Sequence, residues 1–148
     1  MASLKDRLLT DEARGPFVNG CVEVIEAEVG SKSGMGGLVI KTAFKTVKAV
    51  KPGIIPDVVN VLIEDFVTQL EPIYMDYRAT ESGNLRQYLI SEADQVADSL
   101  LAITDGRAQR SKHRTLVKAY NKLRPQGKKQ VVAAMPRIGD LLVSQGLE

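Results

Sequence analysis

A basic segment in the last third of the chain carries the residues best suited to bind another molecule. Between Arg107 and Lys129 the sequence has nine lysine or arginine residues and no acidic residue. Lys118 and Lys122 lie one helical turn apart, and Arg114 extends the same row. Such a row can neutralise phosphates, with an affinity that falls steeply as salt rises. The candidate surface for an anionic partner consists of Arg107, Arg110, Lys112, Arg114, Lys118, Lys122, Arg124, Lys128 and Lys129.

The uneven distribution of charge leaves two interpretations of this basic segment open. Residues 57–98 contain two basic residues (Lys or Arg) and nine acidic residues (Asp or Glu). Residues 99–148 contain ten basic and three acidic residues. The segment either contacts the acidic middle of its own chain or faces an acidic partner. We favour the contact within the chain, because only Tyr120 places an aromatic ring among the cations and no DNA- or RNA-binding motif is present. Nucleic acid therefore remains an alternative partner.

The residue types that enzymes use most often are scarce in this sequence. His113 is the single histidine and lies in the basic segment, with no carboxylate near it in sequence to orient its ring in a Ser-His-Asp triad. Cys21 is the single cysteine and shares a predicted helix face with Phe17 and Ile25, as expected of a core residue. A Cys/His zinc site lacks ligands. We therefore expect no enzyme activity, no metal and no cofactor.

Two further patterns contain the residue types of phosphate-binding and calcium-binding sites but lack the spacing that such sites require. The glycine-rich stretch Gly30–Gly37 does not match a phosphate-binding loop and follows no predicted strand, so we expect a flexible connector. Glu64, Asp65, Glu71 and Asp76 cluster in sequence without the spacing of an EF-hand. A solvated acidic helix face is the favoured interpretation of that cluster.

The elements that position these residues are predicted to be helices. Apolar residues recur at helical spacing nearly throughout, and no stretch alternates for long between apolar and polar residues. Glycine and proline mark the breaks. The first predicted elements are a short helix from Ser3 to Gly15, a helix from Pro16 to about Gly30, and an amphipathic helix Leu38–Lys51 that ends at Pro52-Gly53. A central helix then begins at Pro56-Asp57 and is bent or ended by Pro72, and a Ser82-Gly83-Asn84 turn follows it. The last predicted elements are a helix Leu85–Ile103 interrupted near Ser91, a helix capped by Ser111 and broken at Pro125-Gln126-Gly127, and a final helix kinked at Pro136 and capped by Gly146.

These elements together predict one all-α domain, residues 1–148, built as a bundle of about six to seven helices. Apolar residues make up 44% of the chain and aromatic residues only 5%, so the core should consist mainly of Val, Leu, Ile and Ala. Acidic residues interrupt the most apolar stretch, 58–75, which argues against a membrane span. The single cysteine and the missing secretory signal indicate a cytoplasmic protein. Residues 41–67 and 118–143 share the order of a basic helix, a proline–glycine break and a Val-Val pair, so pseudo-repeated helical hairpins remain an alternative arrangement.

One stretch resembles a known family. Residues 37–56 (GLVIKTAFKTVKAVKPGIIP), followed by Asp65-Phe66 and Leu70-Glu71-Pro72, are similar to a family of small bacterial proteins of unknown function. The resemblance implies an all-helical bacterial protein and brings no catalytic or binding residues with it. The predicted function is therefore non-enzymatic binding or scaffolding, with a protein, either a second copy or another chain, as partner. Nucleic-acid binding by residues 107–129 and carriage of a small apolar ligand between the helices are the alternatives.

Overall fold

Seven helices form within the residues that the computed structural model describes, 3–80 and 83–147, and no strand forms among them. This confirms the predicted all-α bundle. No helix in these ranges combines the length and the apolar character needed to cross a bilayer. In chain order the helices are α1 (Leu4–Leu8), α2 (Asp11–Ser31), α3 (Gly34–Lys48), α4 (Ile54–Thr80), α5 (Leu85–Ser91), α6 (Ala93–Arg110) and α7 (Arg114–Ser144).

The first break lies earlier than the sequence predicts. Ser3 caps α1 as expected, but the chain turns at residues 9–10 instead of at Gly15. The hydroxyl of Thr10 accepts a hydrogen bond from the Ala13 N–H at 3.1 Å and so begins α2. Pro16 lies inside α2, beyond the first turn, so the helix lacks one backbone hydrogen bond at this position. The predicted break at Gly15-Pro16 is wrong because a side-chain cap upstream starts the helix first.

The predicted flexible loop Gly30–Gly37 is also wrong. Helix α2 continues to Ser31 and α3 begins at Gly34, so only two residues separate them. The glycines permit close packing here: a Cβ on Gly37 would lie 2.8 Å from the carbonyl carbon of Lys32. A larger residue at that position would force the end of α2 away from α3.

The middle of the chain largely follows the prediction. Gly53 adopts a φ of 77° at the break before α4, a conformation that favours glycine. Helix α4 then begins at Ile54 and continues through Pro72 without interruption. Asn84 caps α5, Glu92 separates α5 from α6, and Ser82 of the predicted turn lies outside the described residues. The interruption predicted near Ser91 is confirmed within one residue.

The predicted break at Pro125-Gln126-Gly127 does not occur, because α7 is one helix of 31 residues that includes both Pro125 and Pro136. Each proline removes one helical hydrogen bond, and packing of α7 on α2, α3, α5 and α6 offsets that loss. Ser111 ends α6 instead of capping the next helix; His113 precedes α7 and provides no side-chain cap. The stretch 118–143 is thus one continuous helix, whereas 41–67 contains a break, so the two differ in shape.

Helices α4 and α7 are the two long elements of the bundle, and the shorter helices bridge them. Helices α2, α3 and α6 each pack against both α4 and α7. Helix α1 packs on α4, and α5 packs on α7. Three helices therefore bridge α4 and α7.

The space between α4 and α7 is filled at one end of the bundle only. Helix α4 from Val59 onward, the second half of α7, the short helices α1 and α5, and parts of α2 and α6 form a continuous buried core. Leu147 and Gly146 close this end, and the backbone of Gly146 forms the predicted cap with a φ of 91°. The most deeply buried large side chains belong to this end, namely Leu4, Leu8, Ile63, Val67, Leu85, Leu89, Val96, Met135 and Leu147.

The contact between α5 and α7 yields a first prediction. A Cβ on the buried Gly139 of α7 would lie 2.8 Å from the Cα of Arg86 on α5. Gly139→Ala should therefore push the two helices apart and lower the free energy of unfolding by about 2 kcal/mol. Gly15→Ala is the matched control, because a Cβ there meets no atom within 4 Å. The free energy of unfolding of Gly15→Ala should rise by about 0.5 to 1 kcal/mol, because alanine has the higher helix propensity. Urea unfolding measures both changes, and a Gly139→Ala protein as stable as wild type would contradict the close contact.

Candidate functional site

The main candidate site is an apolar cavity of about 720 Å³ at the end of the bundle opposite the filled core. Side chains from α2, α3, α4, α6 and α7 form its wall, and Val61, which is 58% exposed, lies at its edge. Most of the wall is aliphatic. Its partly buried apolar side chains include Ile25, Phe44, Val47, Ile55, Val58, Leu62, Leu116, Val117 and Leu123.

The helix faces that meet at the cavity are apolar and carry mainly aliphatic side chains. On α4, Val58 and Leu62 are one turn apart and point to the same side, while Val59 is buried against neighbouring helices. On α7, Leu116, Ala119 and Leu123 form the facing stripe. The sequence predicts these residues as core, and the structure leaves many of them only partly covered.

A polar network fixes the cavity wall between α6 and α7. The hydroxyl groups of Thr104 and Tyr120 are 2.7 Å apart, and the Tyr120 hydroxyl also donates a hydrogen bond to Oδ1 of Asp105. Arg124 donates two hydrogen bonds to the Asp105 carboxylate, at 2.8 and 3.1 Å. A two-pronged arginine–carboxylate contact is strong and sets the relative position of its two helices. Thr104 and Tyr120 line the cavity.

This network shifts the protonation equilibria of two residues. The hydrogen bonds from Arg124 and Tyr120 hold the pKa of Asp105 below its usual value. Burial and the neighbouring Asp105 raise the pKa of Tyr120 above its usual value. Tyr120 therefore stays protonated at neutral pH and acts as a donor. This network was not predicted from the sequence. The signal that could have indicated it is the i, i+4 spacing of Tyr120 and Arg124 on α7, opposite an aspartate in the last third of α6.

The structure pairs three of the nine residues of the predicted basic surface with acidic side chains. Arg107 contacts Asp65 at 3.1 Å and Lys128 contacts Asp98 at 3.2 Å, both in the acidic segment 57–98. The third is the Arg124 contact with Asp105. Part of the segment thus contacts the acidic middle of the chain. Within residues 3–80 and 83–147, six of the nine form no ion pair, namely Arg110, Lys112, Arg114, Lys118, Lys122 and Lys129.

A second groove, of about 690 Å³, lies between α3 and α7. Lys118 and Lys122 stand on its α7 side, and Leu38 and Val39 stand on its α3 side. Leu38 is 61% exposed at this groove. The groove places two cations of the basic surface next to apolar side chains of α3.

The other residues considered from the sequence are Cys21, His113 and the acidic cluster on α4, and their surroundings indicate structural roles. Burial raises the pKa of the Cys21 thiol to about 12, so the reactive thiolate is absent at neutral pH. His113 is exposed and directly precedes α7. Glu64 pairs with an arginine of α2, and Glu71 accepts the backbone N–H of Leu4 at 2.8 Å. Among the described residues, no three His, Cys, Asp or Glu side chains group in a way that could hold a metal ion.

The depressed pKa of Asp105 predicts a specific acid dependence of stability. Because the folded state holds the Asp105 proton less tightly than the unfolded chain does, this interaction contributes fully above the usual carboxyl pKa and is lost as pH falls through the lower folded value. Asp105→Asn should lower the free energy of unfolding at pH 7 by about 1 kcal/mol and flatten its decline below about pH 4. Chemical denaturation across pH 2 to 7 measures this, about the range in which carboxylates titrate.

Asp140→Asn is the matched control for that experiment. Asp140 contacts Arg86 through a more exposed ion pair at 2.9 Å. Its removal should change the acid limb of the stability curve less than Asp105→Asn does. Equal slopes for wild type and Asp105→Asn would show that the α6–α7 network does not contribute as described.

Comparison with known proteins assigns the chain to a family. No curated protein and no solved structure matches the sequence. The model of DUF6918, described as a family of unknown function, matches residues 4–145, which include every helix of the bundle. The resemblance predicted from residues 37–56 is thereby confirmed, while the bacterial origin remains a prediction. The chain belongs to DUF6918, a family of unknown function.

Proposed function

We propose that the protein is a non-enzymatic binding protein that holds a small apolar ligand in the cavity between α4 and α7. The observation that carries this proposal is the cavity itself, about 720 Å³ and walled mainly by aliphatic side chains. Pockets that hold small molecules in proteins span about 300 to 1,000 Å³ and are mostly apolar with a few polar groups. The hydroxyl groups of Thr104 and Tyr120 provide such polar groups here.

The hydrophobic effect gives the driving force for this proposed binding. Each square ångström of apolar wall that a ligand removes from water contributes about 25 cal/mol. Partly buried residues such as Val58, Leu116 and Val117 supply that area. The opposite end of the bundle is filled by a continuous buried core. A cytoplasmic location belongs to the proposal and is supported by the single, unpaired Cys21.

The second candidate function is binding of nucleic acid by the unpaired cations. It is supported by Lys118 and Lys122, which lie on one face of α7 without an ion pair among the described residues. It is weakened by the three ion pairs that engage Arg107, Arg124 and Lys128. The apolar cavity therefore gives the better-supported function.

A fluorescent-probe experiment tests the proposed ligand binding. N-phenyl-1-naphthylamine, a neutral apolar dye, should bind the wild-type protein, and dodecan-1-ol should displace it. Val58→Trp places an indole in the cavity and should abolish binding, while the Tm stays unchanged or rises because the indole fills empty apolar space. Gln69→Trp is the matched control, because Gln69 is exposed on the same helix outside the cavity.

Both variants contain one tryptophan in a chain that otherwise has none, so their fluorescence also reports local polarity. The indole of Val58→Trp should emit at shorter wavelength than that of Gln69→Trp. Absence of dye binding to wild type, or dye binding by folded Val58→Trp equal to wild type, would refute the proposal. A wild-type dimer in light scattering that Val58→Trp converts to monomers would refute it too, because a second copy would then cover the cavity.

A salt titration tests the second candidate. If nucleic acid binds the unpaired cations, a 20-mer duplex should bind at low salt and lose affinity steeply as salt rises, and Lys118→Glu/Lys122→Glu should weaken binding at least about tenfold. Lys41→Glu/Lys45→Glu on α3 is the control with the same change of net charge. No binding at low salt, or equal weakening by both double variants, would contradict a specific surface on α7.

A further inference from the structure

The polar groups on the cavity wall differ in whether they already have a partner. Asp57 forms an ion pair with Lys51 at 3.0 Å, and Arg107 forms one with Asp65 at 3.1 Å. The hydroxyls of Thr104 and Tyr120 bond to each other. The hydroxyl oxygen of Ser111 accepts the backbone N–H of His113 at 3.1 Å. Each of these groups is engaged within the chain.

Arg110 is the exception on this wall. It lies in the last turn of α6 and lines the cavity. Within residues 3–80 and 83–147, its guanidinium group forms neither a hydrogen bond nor an ion pair. The guanidinium lies over Gly106, with Nη1 3.4 Å from the position that a Cβ would occupy there. The missing side chain of Gly106 thus leaves room for the arginine to lie along α6 at the cavity mouth.

We infer that the ligand of the cavity is an amphipath with one anionic head group, which Arg110 binds while the apolar chain fills the cavity. This inference rests on the proposed function, because it specifies the chemical class of the same ligand. A guanidinium remains charged at every physiological pH and presents parallel N–H donors that match a carboxylate. One uncompensated cation beside a large apolar wall is complementary to one negative charge attached to an aliphatic chain.

The position of Arg110 at the mouth also suits this ligand physically. A charged head group is costly to bury and is best held where solvent still reaches it. Arg110 is exposed, whereas Leu116 and Val117 on the same cavity wall are partly buried. The head group would therefore stay hydrated at the rim, and only the aliphatic chain would enter the apolar interior.

The test compares two probes that differ only in the head group, dodecanoate and dodecan-1-ol, each used below its aggregation concentration. Displacement of N-phenyl-1-naphthylamine gives both values of Kd. Dodecanoate should bind wild type about tenfold more tightly, since a hydrogen bond to a charged group adds that much affinity at a partly exposed site. Arg110→Gln should remove this preference and leave the Kd of dodecan-1-ol unchanged. Arg110→Lys should keep part of it.

Arg114→Gln is the matched control, because Arg114 is exposed, lies four residues further along the chain and does not line the cavity. It changes net charge equally and should retain the preference for dodecanoate. Equal affinity of wild type for both probes, or loss of dodecanoate affinity in Arg114→Gln as large as in Arg110→Gln, would overturn the inference. Both outcomes leave the proposed function standing. If neither probe displaces the dye and the dye itself does not bind, the proposed function fails.

Discussion

The organisation of this protein depends on uneven packing between the two long helices, α4 and α7. At the filled end, Tyr74, Tyr77 and Tyr88 pack ring against ring, with centroids 6.1 and 5.4 Å apart. Tyr74 and Tyr77 lie on α4 and Tyr88 lies on α5, and aromatic side chains of this kind bury large areas. At the other end the residues that face each other are mostly valine, leucine and isoleucine, with Phe44 and Tyr120 among them, and they leave open space between the helices. The bundle therefore has a core at one end and a cavity at the other.

The polar contacts of the bundle hold this unequal arrangement in place. Asp105 joins the end of α6 to Arg124 and Tyr120 of α7, directly at the cavity wall. Arg107 joins α6 to Asp65 of α4 on the other side. These contacts fix α6 relative to both long helices without filling the space between them. The acidic and basic segments of the sequence thus act partly as partners within the chain, and Arg110 remains unpaired beside the cavity among the described residues.

Helical periodicity predicted the type of nearly every element, because burial of one apolar face dominates helix formation in bundles. The breaks were harder to predict. Pro125 lies inside α7 because packing on several helices offsets a lost hydrogen bond, and Gly37 serves a close helix contact instead of a flexible loop. Local sequence does not contain that tertiary information. The position of the cavity could not be predicted either. The pattern places Val58 and Leu116 on the apolar faces of their helices, but only the three-dimensional arrangement shows which residues lie opposite them.

The most direct test of the account is a methyl NMR titration of the wild-type protein with dodecan-1-ol. Binding in the cavity predicts that the methyl signals of Val58 and Val117 shift with saturation. The methyl signals of Val67 in the filled core should keep their positions. The account is contradicted if no methyl signal shifts, or if the shifts are confined to Leu38 and Val39 at the groove between α3 and α7.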